Sequence, residues 1–217
     1  MVAIDLENRL TTVIVLFRVQ ETQQAAAIAQ IKQLFAIAKQ QAGFVSANLH
    51  RSLDGVKIAN YAQWTSAAAL EKFKALPEVQ TRWTELQSLV EEADSHVYEV
   101  VASESKVGAP QIRPGEYFVH FAEFRMPPEN QPRMVELAKE HLAPAMSLPG
   151  LVSANFHRSL DGQRVINYGQ WEDQEAIYKL TQRDGFGKED GYWTGLAVNE
   201  FHLYEVILSE TAEAQVG

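Results

Sequence analysis

Residues 43–64, GFVSANLHRSLDGVKIANYAQW, return 107 residues later as residues 150–171, GLVSANFHRSLDGQRVINYGQW. Fifteen of these 22 positions are identical. A repeat of this length defines the folding unit, since each copy must form the same local structure. The preceding stretches, 21–42 and 128–149, share only Gln24/Gln131, Lys32/Lys139, Ala36/Ala143 and Ala38/Ala145 at the same offset. The central hairpin has therefore kept its residues while the helices beside it have drifted.

At 217 residues, the chain has room for two units of about 100 residues. We place them at residues 1–103 and 116–217, with residues 104–115 as the connector. The Pro, Gly and Ser content of ASESKVGAPQIRPGE, residues 102–116, marks that junction. Each unit opens on a β-branched apolar run, as in TTVIVLFRV at residues 11–19. A helix follows over residues 21–42, where Ile28, Ile31, Phe35 and Ala38 recur at helical steps. Val135, Ala138, Leu142 and Ala145 restore the same apolar face in the second copy. Strands at residues 44–53 and 56–64 flank Asp54-Gly55, which reads as a type I′ hairpin turn with positive φ at both central residues. Helical stretches at residues 66–73 and 77–92 lead to a last strand, HVYEVV at 96–101 or HLYEVI at 202–207. The order is β-α-β-β-α-β, the ferredoxin-like arrangement. Such a sheet leaves one face and its edges uncovered. The fold class is thus α+β: two tandem ferredoxin-like repeats forming an intramolecular dimeric α+β barrel about a pseudo-twofold axis.

Composition narrows the function classes. The net charge of −9 disfavours a nucleic-acid partner, which requires a basic face, and a polybasic membrane anchor. Without cysteine there is no disulfide, thiolate catalyst or iron–sulfur cluster. No apolar run reaches the roughly 18 residues of a membrane helix, and MVAIDLENRL lacks the pattern of a signal peptide. A cytoplasmic location is expected.

Alternation puts Ile58, Asn60, Ala62 and Trp64 on one side of the hairpin's second strand. Asn167 and Trp171 take the same places in the second copy. Asparagine is depleted in strand interiors, and a buried amide without partners costs about 1–3 kcal/mol. Two readings fit: core packing with the amide on neighbouring backbone, or a site in which the amide meets a substrate oxygen beside an indole wall. Asn-x-x-x-Trp on the third strand of a tandem ferredoxin-like unit resembles the antibiotic biosynthesis monooxygenase family, once per copy. The resemblance implies a pocket between sheet and helices, with Asn60, Trp64, Asn167 and Trp171 in catalysis. It also implies oxidation of a small electron-rich aromatic, such as a quinol or anthrone, by O₂ without cofactor. In the haem-degrading relatives an axial His follows the Trp and an Asn lies on the first strand. TSAAALEKFKAL and EDQEAIYKLTQ contain no His, and the first strands contain no Asn, so haem degradation is not expected. The alternative class is a non-catalytic ligand-binding or stress-response barrel.

Tyr98, Tyr204, Trp83, Trp193 and His141 are candidates to line the pocket. His50 and His157, with Asn48, Asn155, Arg51 and Arg158, are read mainly as contacts across the pseudo-twofold axis. His96 and His202 are read as structural or solvated. His120 and His141 occur only in the second copy. Together with the glycine-rich RDGFGKEDGYWTG at 183–195, read as a mobile lid, they make that copy the more specialised candidate. A working pocket in one copy only, and a homodimer of the whole chain, both stay open.

Overall fold

The computed structural model describes residues 3–7, 9–181 and 191–212. The first copy comprises β1 (Thr11–Arg18), α1 (Gln24–Ala38), β2 (Phe44–Ser52), β3 (Lys57–Trp64), α2 (Ala67–Lys74), α3 (Pro77–Gln87) and β4 (Glu92–Ser105). The second comprises β5 (Phe118–Arg125), α4 (Gln131–Ala145), β6 (Leu151–Ser159), β7 (Arg164–Trp171), α5 (Gln174–Thr181) and β8 (Val198–Thr211). All the strand pairings are antiparallel, and the eight strands close in the order β1-β3-β2-β8-β5-β7-β6-β4.

Closure depends on the last strand of each copy. The β4 strand pairs with β1 through Tyr98 and, from Tyr98 onward, with β6 of the other copy. Its counterpart β8 pairs with β5 and then with β2. This double duty requires strands of 14 residues, against the six expected from HVYEVV and HLYEVI. The extra length comes from both sides. The helix α3 stops at Gln87, and β4 runs to Ser105, into the Ser-rich stretch that reads as connector. A barrel removes the exposed edges that a four-stranded sheet would carry.

Alternation along the strands generates three apolar cores. On the outer face, Ile28, Ile31 and Phe35 of α1 pack against Val13, Val15 and Ile58. Met134, Val135 and Leu142 of α4 do the same in the second copy. The barrel interior holds Ile14, Leu16, Tyr61, Tyr98, Phe121, Tyr168 and Tyr204. Ile4 and Ile112 add to this inner cluster, and the Ile4 N–H donates to Pro110 O at 2.8 Å. The connector thus supplies part of the core as well as joining the copies.

The hairpin turn differs from the expected type I′. Positive φ occurs at Gly55 (81°) and Gly162 (83°), whereas no non-glycine residue has it among those described. The connection spans four residues, 53–56, rather than two. Ser52 stabilises it by accepting the Lys57 N–H on Oγ at 2.8 Å, as Ser159 does for Arg164. A loop of this length is built around an ordinary turn and needs left-handed backbone at the glycine alone. Gly43 (φ 89°) answers a different need: a Cβ there would lie 2.6 Å from the Cβ of Ala69 at the start of α2.

The repeated hairpin residues contact the other copy. His50 Nε2 accepts from Tyr168 Oη at 3.1 Å, and His157 Nε2 from Tyr61 Oη at 3.1 Å. Asn48 Oδ1 accepts from Ser209 Oγ, and Asn155 Oδ1 from Ser103 Oγ, each at 2.7 Å. Arg51 pairs with Glu205 and Arg158 with Glu99. Asp54 is 2.6 Å from His202 Nδ1, and Asp161 is 2.6 Å from His96 Nδ1. The interfacial reading of His50, His157 and their neighbours therefore holds, and His96 and His202 clamp the turn of the opposite copy.

His50 and His157 are fully enclosed, and burial pushes both down to about 4, only partly opposed by hydrogen bonds to backbone carbonyls. Burial also pushes His120 down to about 3. A depressed folded-state pKa makes the contribution complete above the unfolded value near 6.5 and lost as pH falls towards 4. At 1.36 kcal/mol per unit, each ring accounts for about 3 kcal/mol over that range. His96 acts in the opposite sense. Its hydrogen bond to Asp94 raises it, so its contribution is present at low pH and is lost as pH rises through the folded value. Three groups against one leave acid destabilising. Urea titrations should show stability at pH 5.0 lower than at pH 7.5 by about 3–6 kcal/mol. A flat profile would rule out neutral buried rings.

Candidate active site

Asn60 and Trp64 lie two residues and one pleat apart from Ala62, all turned outward towards the helices. With β1, α1 and α3 they enclose a cavity of about 360 Å³ in the first copy. Its walls are mainly apolar, among them Val15, Phe17, Ile31, Phe35 and Trp83. Trp64 is held edge-on by Phe44 at 5.4 Å and leans on Phe73 at 5.0 Å. Trp83 packs on Phe17 at 6.0 Å. Both indoles are thus fixed by neighbouring rings, and the open space lies between helix and sheet.

The polar content is sparse and placed. Asn60 Oδ1 is buried and accepts no hydrogen bond among the described residues, and the same is true of Asn167 Oδ1. This excludes the reading in which the amide oxygen is satisfied by neighbouring backbone. Leaving such an acceptor unpaired costs about 1–3 kcal/mol, so the position is maintained at the expense of stability. Lys74 and Ser95 complete the polar lining, and Lys74 also pairs with Glu71 at 2.9 Å. The lining includes no Asp, Glu or His, and Lys74 is its one ionisable side chain.

The second copy differs. Asn167 and Trp171 keep their places on β7, but His120 on β5 stands where the first copy has Val13. The Trp171 indole N–H donates to His120 Nδ1 at 2.8 Å. Since indole nitrogen is only a donor, Nδ1 is the acceptor and the ring proton sits on Nε2. Directly opposite, the register pairs His120 with Gly169, where the first copy pairs Val13 with Ala62. A Cβ on Gly169 would fall 2.1 Å from His120 Cε1. The loss of the methyl at Gly169 is legible in NYAQW against NYGQW, yet only the cross-strand register connects it to His120.

The remaining candidates divide. Trp83 lines the cavity. Trp193 packs on Phe124 at 5.4 Å, as Trp83 packs on Phe17. Tyr98 and Tyr204 do not reach either site: both belong to the barrel interior, because they fall on the inward parity of β4 and β8. His141 is exposed on α4, donates from Nδ1 to Leu137 O at 2.8 Å and stacks on Tyr192 at 4.4 Å. It does not point into a pocket from the helix. Residues 183–190 of the expected lid lie outside the described residues.

A family model described as Antibiotic biosynthesis monooxygenase matches residues 11–82 and 117–188. Tetracenomycin-F1 monooxygenase of Streptomyces glaucescens is 49% identical over 37 residues, covering 17% of this chain and 32% of that protein. That match spans about a third of the relative's length. A crystal structure of an anthrone oxidase-like protein superposes with a TM-score of 0.84 at 20% identity, covering 99% of this chain and 98% of the other. The superposition shows a common two-copy fold. Among the described residues no helix is long and apolar enough to cross a membrane.

The His120–Trp171 bond can be tested by itself. His120→Ala should lower stability by about 1–3 kcal/mol, because it strands a buried indole donor. Trp171→Phe in that background should add no further hydrogen-bond cost. Urea titrations of the two variants give the comparison, and an undiminished midpoint for His120→Ala would contradict the assignment.

Proposed function

Because the chain belongs to the antibiotic biosynthesis monooxygenase family, we propose that its first copy is a cytoplasmic, cofactor-independent oxygenase site for an electron-rich aromatic such as a quinol or anthrone. The observation that carries this reading is the unpartnered Asn60 amide oxygen in the wall of an otherwise apolar cavity beside Trp64. The apolar walls and fixed indoles suit a flat ring system, which would bury its faces against Trp64 and Trp83. A rotation of the Asn60 side chain would let Oδ1, buried just behind the wall, accept from a hydroxyl on that ring. The amide N–H group can in turn donate to the oxygen anion left by deprotonation, and such donors favour a developing charge most strongly where water is excluded.

With an anthrone-type substrate the balance is R₂CH₂ + O₂ → R₂C=O + H₂O. Loss of a ring-activated C–H proton gives an enolate, which supplies the electrons. One oxygen atom enters the product as the new carbonyl, and the other leaves as water with two hydrogens. The protein's share is to hold the enolate form, fix its orientation and limit the water around it. No carboxylate or imidazole is among the residues lining this cavity, so the first proton passes to water.

The same lack of a base favours a second reading, a barrel that binds an aromatic without transforming it. Oxygen uptake separates the two. Under the oxygenase reading, admission of O₂ to enzyme premixed anaerobically with an anthrone or quinol panel gives uptake above the spontaneous rate. Asn60→Ala should lower kcat about 10²-fold, the usual penalty for a lost donor to a developing oxyanion. Uptake equal in wild type and variant, or none above background, would refute the oxygenase reading.

A further inference from the structure

Four residues around one patch of the first cavity, Val13, Val15, Ala62 and Ser95, have different counterparts in the second copy. Strand register makes the equivalence explicit. Val13 faces Ala62 and Val15 faces Ser95 in the first copy, whereas His120 faces Gly169 and Ala122 faces Phe201 in the second. The imidazole occupies the slot that Gly169 opens. The Phe201 ring covers it at 5.2 Å and 31°. The Trp171 indole fixes its Nδ1 at 2.8 Å. Where the first copy has open space against the sheet, the second has two rings of its own.

We propose that the chain binds one planar aromatic ligand, in the first copy, and that the His120–Phe201 pair is a built-in occupant closing the second copy to such ligands. The inference takes the cavity of the proposed site as its premise and is independent of the reaction performed there. An incoming ring system would have to expel His120 and break its bond to the buried Trp171 N–H, which only a ligand oxygen placed at the same point could restore. It would also have to displace Phe201 from the same patch. No comparable obstacle exists beside Trp64, where the neighbour on β1 is Val13. The two Asn-x-x-x-Trp sets thus have different work: one faces a ligand, the other faces the chain's own side chains.

Calorimetric titration of the full chain with anthraquinone-2-sulfonate, a three-ring probe already at the oxidised level, reads the stoichiometry. One equivalent per chain is expected. Two equivalents, or none, would overturn the proposal without reference to any variant. H120V/G169A/F201S, which installs the first copy's residues, should bind two equivalents, and a second site failing to appear in the folded variant would also overturn it. Ser95 is exposed, so S95F should fold with an unchanged melting temperature and bind at least tenfold more weakly. Unchanged affinity of S95F would place the bound probe elsewhere and refute the assignment. One equivalent bound with no oxygen uptake would remove the oxygenase reading and leave this one standing.

Discussion

The exchange of last strands between the copies is the constraint from which the rest of the molecule follows. Each ferredoxin-like unit has an open sheet edge, and β4 and β8 close both by continuing into the neighbouring unit. Backbone hydrogen bonds do most of this work. The ion pairs laid across the seam, Arg51 with Glu205 and Arg158 with Glu99, are two-fifths or more exposed at every side chain, and such pairs contribute about 0–1 kcal/mol. Their value is in register: a one-residue slip of β8 against β2 would separate Arg51 from Glu205 and Asn48 from Ser209 together.

This constraint explains which residues the duplication has kept. Asn48, His50, Arg51 and Asp54 each touch the other copy, and their counterparts at Asn155, His157, Arg158 and Asp161 do so reciprocally. A change at any of them would disturb a contact with a strand that must also serve its own sheet. The helices carry no such register of reciprocal polar contacts with the other copy. They pack mainly through apolar side chains, so Phe35 can become Leu142 and Ile31 can become Ala138 provided an apolar stripe survives.

Much of this was legible in the sequence. The 22-residue repeat gave the number of units, the apolar periods gave the element order, and strand alternation put Asn60 and Trp64 on one face. The length of β4 and β8 was not legible, because ASES after HVYEVV carries connector composition and becomes strand only through pairing with β6. The turn was misread because Asp-Gly signals a two-residue loop, while Ser52 Oγ caps a four-residue one. Tyr98 and Tyr204 sit on the inward parity of their strands, which their place next to a candidate pocket in the sequence does not reveal. In the sequence His120 marks the second copy as different, but its role depends on Gly169 across the strand pair and on Phe201 beside it. Both lie far from it in sequence.

Fusion of the copies has a consequence that a pair of separate chains could not share. In a homodimer every substitution appears twice, so a ring placed in one pocket is placed in both. Here His120, Gly169 and Phe201 alter one side while Val13, Ala62 and Ser95 persist on the other. The change also had to be concerted, because His120 fits only above a residue without a Cβ. In the second copy the indole gains an acceptor in His120, while the amide oxygens of Asn60 and Asn167 are alike unpartnered among the described residues. The asymmetry therefore lies in the side chains around the indole, His120 and Phe201 on one side against Val13 and Ser95 on the other, and leaves the amide the same in both copies.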